Sequence, residues 1–183
     1  LLGYLLGSVP TGVLVCRVLG CPDVRWRGSG HTGGLNVSRV AGIWAGAVTA
    51  LVDLLLGGLA VGVGWLLHDP WAGVIAGIMA VIGHNWSVFI RLAGGIGLST
   101  LAGALLFFSP LPALLIAALV VLIWLVLVKL FHFHRARSTV LVMLMIGPLL
   151  WAAGAPLQGI LLGAIGGAGV ILKTLPDWHR EYA

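Results

Sequence analysis

Charge is what this chain most lacks. Only 8% of its 183 residues are Asp, Glu, Lys or Arg, against about a quarter in an ordinary soluble domain. That scarcity excludes a surface designed for water. Strict alternation of polar and apolar residues is missing as well, which excludes an outer-membrane barrel. Cysteine is limited to Cys16 and Cys21. One lies in an apolar run and the context reads as cytoplasmic, so free thiols are expected rather than a disulfide. No small-residue cleavage site follows the first apolar run, so no cleavable signal peptide is expected. The chain opens Leu1-Leu2 without methionine, from which a few missing leading residues are expected. No basic tract interleaved with aromatics is present, so nucleic acid is not an expected partner despite a net charge of +5.

What fills the chain instead is apolar. Hydrophobic residues make up 60% of it, and mean hydropathy is +1.13. The expectation is an all-α integral membrane protein. Seven apolar segments can be marked, at 1–20, 38–67, 71–91, 98–109, 111–131, 138–153 and 156–173. Pro10, His68-Asp69-Pro70, Ser109-Pro110 with Pro112, and Gly154-Ala155-Pro156 break or kink them. No soluble stretch is long enough to stand alone, so residues 1–183 are read as a single seven-helix membrane domain.

All ten basic residues fall in or beside alternate connections. Arg17, Arg25, Arg27 and Arg39 belong to the first, Arg91 to the third, and Lys129, Arg135 and Arg137 to the fifth. Lys173 and Arg180 belong to the tail. If all seven segments cross, these residues share one side. The positive-inside rule makes that side cytoplasmic, with the N-terminus outside and the C-terminus cytoplasmic. Segment 98–109 is short: twelve residues reach about 18 Å against an apolar core of about 30 Å. A re-entrant segment there would strand Lys129, Arg135 and Arg137 outside, so a short crossing with local thinning is expected.

The polar residues collect on the same side. They form "GSGHTGGLNVSR" (28–39), "GHNWSVFIRLAGGIGLST" (83–100), "FHFHRARST" (131–139) and "PDWHREYA" (176–183). Segments two, four and six begin there, presenting free N–H groups and partial positive charge. Gly33-Gly34 and Gly94-Gly95-x-Gly97 allow backbone amides to turn toward an anion. Ser99 and Ser138 are expected N-caps. Arg39, Arg91, Arg135 and Arg137 add full charges. The sum describes a phosphate or carboxylate site at the membrane surface.

Within it, Ser29 is open to three roles: nucleophile, proton relay or turn residue. His179 is the best-placed base. His84 and Asn85 sit where polar groups need partners, either structural or substrate. His132 and His134, two apart, do not share a helix face, and no metal is expected. Asp53 either pairs internally or lines a cavity. The frequent glycines, Gly57-Gly58 and Gly163 with Gly166, Gly167 and Gly169 among them, read as helix–helix contacts.

These loops, in this order and over essentially the whole chain, resemble the bacterial acyl-phosphate:glycerol-3-phosphate acyltransferase family of inner-membrane enzymes. "LLGSVPTG" (5–12) resembles the family's first-helix signature. "GSGHTGGLNVSRVAG" (28–42) resembles its S-G-N-x-G-A-T-N-x-x-R loop. "GHNWSVFIRLAGGIGLST" resembles G-H-x-W/Y-P-x-F followed by G-G-K-G-x-A-T. "RARS" (135–138) resembles R-Y-x-S, and "HREY" (179–182) resembles H-R-E-N.

The resemblance implies a seven-helix enzyme of the bacterial inner membrane, active at the cytoplasmic face. It would transfer an acyl group from acyl phosphate to glycerol 3-phosphate, giving lysophosphatidic acid, with no cofactor. Carried over by position, Ser29 and His179 are catalytic candidates. Arg39, Gly94, Gly95, Gly97, Ser138, Arg91 and Arg135 are phosphate-binding candidates, with Asn36, His84 and Asn85 as further substrate contacts. The acyl chain would lie in a groove open to lipid. Several positions depart from the signatures: Ile96 and Ala93 stand at lysines, Tyr182 and His31 at asparagines, and Gly34-Leu35 at Ala-Thr. Ile96, Ala93 and Tyr182 motivate a second reading, a catalytically degenerate member of the same fold acting as an accessory or lipid-binding subunit of a larger membrane complex. An open cleft joining Ser29, Arg39 and His179 would favour the enzyme. A pocket plugged by Leu35, Ile96 or Tyr182 would favour the second reading.

Overall fold

The computed structural model describes residues 1–180. Their regular structure is helical: α1 (Leu2–Gly7), α2 (Thr11–Val18), α3 (Gly34–Ala41), α4 (Ile43–Leu67), α5 (Pro70–Asn85), α6 (Leu98–Phe108), α7 (Pro110–Leu125), α8 (Arg135–Ala152) and α9 (Leu157–Thr174). Five helices are long and apolar enough to cross a membrane, the third of them extended by a wide turn over Val126–Leu130. Two shorter apolar helical stretches, Leu2–Val18 and Leu98–Phe108, accompany them.

The breaks follow from local chemistry. Pro10 separates α1 from α2, since it cannot donate to a continuing helix. Asp69 caps α5, accepting from the N–H groups of Trp71 (2.7 Å) and Ala72 (2.9 Å), with Pro70 at the first helical position. One sequence expectation is corrected here. The apolar run 38–67 is not a single helix, because Gly42 adopts φ 92° and splits it into α3 and α4. The short α3 folds back on the first turns of α4, where a Cβ on Gly34 would lie 2.6 Å from the carbonyl of Gly46. This turn puts the first polar loop beside α4.

Close backbone approach holds the bundle together. A Cβ on Gly57 would lie 2.0 Å from the Thr100 carbonyl oxygen, and one on Gly103 only 1.8 Å from that of Leu54. Helices α4 and α6 therefore pack through glycine in both directions, as expected in lipid. The apolar core includes Val61, Val81, Leu101, Leu150 and Leu162. A smaller cluster of Val13, Cys16, Val24 and Val37 anchors the first loop. Cys16 and Cys21 are both free thiols.

Candidate active site

A half-open cavity of about 600 Å³ lies where the polar loops meet the bundle. Ser29, Asn36, Arg39, Gly97, His84 and Arg135 line its polar part. Below them it continues as an apolar branch between α6, α7 and α8, past Leu105, Ile116, Val120 and Ile146.

The first loop is built around one carboxamide. The Asn36 side-chain NH₂ donates to the carbonyls of Val24 (3.0 Å), Arg27 (2.9 Å) and His31 (2.9 Å), and its Oδ1 accepts from the Ser29 N–H at 2.9 Å. Its hydrogen-bonding capacity is thus taken up by the loop that it organises. Asp23 caps the short turn before this loop. The Arg25 guanidinium, bonded to both carboxylate oxygens, holds the Asp23 carboxyl below the usual carboxylate range.

The glycine loop sits on the end of α5. Gly95 donates its N–H to the His84 carbonyl at 3.1 Å. A Cβ there would lie 2.1 Å from His84 Nε2, and one on Gly94 would lie 2.2 Å from the His84 carbonyl oxygen. Gly97 takes φ 85° and presses on Asn85 Oδ1. Asn85 in turn donates from Nδ2 to the Gly169 carbonyl at 3.0 Å, tying the loop to α9. Gly94, Gly95 and Asn85 support the cavity from beneath, whereas Gly97 and His84 line it.

Two expected caps are corrected. Gly97 precedes α6 without a side-chain cap, and Ser99 lies inside the first turn. Helix α8 is capped by His134, whose Nδ1 accepts from the Ala136 N–H at 3.3 Å. Ser138 is buried and donates to the His134 carbonyl at 3.1 Å, outside the cavity lining. A side chain one turn into a helix bonds back to the carbonyl four residues earlier more readily than it reaches the helix end.

His179 is exposed, with Nδ1 3.4 Å from Arg137 Nη2, and does not line the cavity. Arg91 is exposed, takes a left-handed backbone (φ 57°) and also lies off the lining. The tail nevertheless reaches the first loop. His31 Nε2 is 2.5 Å from Asp177 Oδ2, Asp177 Oδ1 accepts from Arg180 at 3.1 Å, and His31 Nδ1 lies 3.4 Å from the Gly94 carbonyl. His134 Nε2 donates to the Arg180 carbonyl at 2.9 Å. Loop one, the glycine loop, the start of α8 and the tail are thereby one connected cluster.

His31, Asp53 and Asp177 also line the cavity. Residue chemistry marked His31 only as a departure from a signature and left Asp53 undecided. Asp177 gave no signal, because its partner lies 146 positions away. Leu35 and Ile96 stand in the cavity wall without closing it. Tyr182 lies outside the described residues. Among those described, no group of three His, Cys, Asp or Glu side chains is arranged to hold a metal.

Comparison with known proteins gives this arrangement a context. The family model described as glycerol-3-phosphate acyltransferase matches residues 1–181. Glycerol-3-phosphate acyltransferase 2 of Moorella thermoacetica is 47% identical over 59% of this chain and 56% of its own length. The Dehalococcoides mccartyi acyltransferase 1 is 46% identical over 67% of this chain and 62% of its own. Over these stretches the chain spans little more than half of the two relatives. The glycerol-3-phosphate acyltransferase of Rubrobacter xylanophilus is 40% identical over all of this chain and 87% of its own length. The crystal structure of PlsY, an integral membrane glycerol 3-phosphate acyltransferase in its glycerol 3-phosphate form, superposes with a TM-score of 0.81 at 28% identity. That superposition covers 97% of this chain and 87% of PlsY. A second crystal structure of PlsY, in its lysophosphatidic acid form, gives a TM-score of 0.78. The chain belongs to the glycerol-3-phosphate acyltransferase family.

Proposed function

We propose that this protein transfers an acyl group from acyl phosphate to glycerol 3-phosphate, releasing lysophosphatidic acid and inorganic phosphate. The observation that carries the reading is a half-open cavity in which Ser29, Arg39 and Arg135 meet the polar end of an apolar branch. A doubly anionic head and a long apolar tail need that combination.

The reaction asks little activation of its donor, because a mixed anhydride already carries a good leaving group. The hydroxyl oxygen of glycerol 3-phosphate bonds to the acyl carbon, and the carbon–oxygen bond to phosphate breaks. The hydroxyl proton ends on the released phosphate. The protein's work is to hold two phosphates close together and aim one hydroxyl. Arg39 and Arg135 face the cavity as cations, and Gly97 brings backbone to it while Gly94 and Gly95 seat that loop on His84. Ser29, fixed at its N–H by Asn36, relays the proton. In this scheme His179, Arg91 and Ser138 act from outside the cavity lining. No resident cofactor takes part in this scheme.

Seven crossings, counting Leu2–Val18 and Leu98–Phe108 as short ones, put the N-terminus outside and the C-terminus in the cytoplasm. The whole chain then forms one domain in the bacterial inner membrane, with the cavity mouth at the cytoplasmic face. The supporting feature is that every basic residue lies in or beside a connection on one side.

The test is a donor comparison. Protein purified in detergent is given labelled glycerol 3-phosphate with either palmitoyl phosphate or palmitoyl coenzyme A. Labelled lysophosphatidic acid from the acyl phosphate alone is the expected result. Product from the thioester alone, or from neither, would overturn the reading.

A further inference from the structure

One oxygen in the cavity has nothing to bind. Asp53, on α4, is 2% exposed and lines the cavity, yet its Oδ1 has no hydrogen-bond partner among the described residues. The neighbouring His84 Nδ1 stands 3.7 Å away, beyond hydrogen-bond reach. A buried acceptor left unmet is costly, and a carboxylate more so. Such a group is kept where a ligand completes it.

The chemistry narrows the ligand group. A carboxylate repels phosphate, so Oδ1 does not serve either phosphate of the two substrates. It calls for a donor, and an alcohol hydroxyl is the donor that glycerol 3-phosphate brings. That molecule has two hydroxyls, one acylated and one not. The apolar branch suited to the acyl chain runs between α6, α7 and α8. Asp53 and His84 lie on α4 and α5, which pack on each other and carry none of the branch residues named above. The hydroxyl under attack must lie toward the acyl branch, which leaves the other one for the α4 wall.

We infer that Asp53 Oδ1 accepts a hydrogen bond from the hydroxyl of glycerol 3-phosphate that is not acylated. His84, lodged beneath Gly95, fixes the wall behind it. The inference rests on the acyltransferase reading and adds to it a residue that selects the acceptor. A site built to bond a hydroxyl rejects an analogue without it far more strongly than an apolar site could.

The experiment compares glycerol 3-phosphate with 3-hydroxypropyl phosphate, which lacks that hydroxyl, using palmitoyl phosphate as donor. Wild type, Asp53→Asn and Asp53→Leu are purified in detergent, and kcat/KM is measured for both alcohols. Wild type is expected to favour glycerol 3-phosphate by roughly tenfold or more. Asp53→Leu should lose that preference through a raised KM for glycerol 3-phosphate, and Asp53→Asn should keep part of it. Asn preserves the size of the side chain, so it carries the test if Leu does not fold. Equal losses on both alcohols, or an unchanged preference in Asp53→Asn and Asp53→Leu, would overturn the inference while leaving the acyltransferase reading intact. No transfer to either alcohol by folded wild type would overturn both.

Discussion

Asn36 joins four backbone groups, from Val24 through His31, with one carboxamide. Asn36→Ala leaves three carbonyls and the Ser29 N–H without that partner, at a position that is itself buried. It is expected to lower stability by roughly 2 kcal/mol or more, read as a fall in thermal midpoint in detergent. Asn36→Asp should not rescue it, because a carboxylate keeps the acceptor and loses the donors. Gly95→Ala is expected to lose most activity, since its Cβ would lie 2.1 Å from His84 Nε2. An assay beside a thermal melt separates this local displacement of the loop from unfolding. At this scale the sequence was informative about which residues matter and less so about why. The glycine loop reads as an anion turn, but its lack of side chains is also required by its seat on His84 and Asn85. That seat joins positions about ten residues apart across a turn and leaves no periodic trace. The pairing of His31 with Asp177 is longer in range still.

Helices were legible where a polar cap or proline marks their ends. His68-Asp69-Pro70 was read as a break, and Asp69 does cap α5 there. Asp69→Ala is expected to cost about 1 kcal/mol, measurable as a lowered melting midpoint. The split between α3 and α4 was not legible, because Val40-Ala41-Gly42-Ile43 is apolar throughout and only the backbone of Gly42 turns. Ser99 and Ser138 look like caps by composition but lie one or more positions inside their helices. Gly57, read as a helix contact, is pressed against backbone of α6, and Gly103, which was not singled out, presses back on α4. Gly57→Val should therefore force α4 from α6. A loss of at least about 1–3 kcal/mol is expected, with a smaller loss for Gly58→Val, whose Cβ would meet its nearest atom at 3.3 Å.

For the whole molecule, scarcity of charge and long apolar runs led to a helical membrane protein, and the five long apolar helices agree. The cavity was legible only as a list of polar loops on one side, since its depth and its apolar branch arise from packing. It is not plugged by Leu35 or Ile96, which stand in its wall, and it joins Ser29 to Arg39 while His179 stands off its lining. The measurement that tests this account most directly is acyl transfer from palmitoyl phosphate to labelled glycerol 3-phosphate by purified wild type beside Ser29→Ala. The account predicts labelled lysophosphatidic acid from wild type and a loss of roughly a hundredfold or more in a folded Ser29→Ala protein. Equal turnover by both proteins, or none by folded wild type, would contradict it.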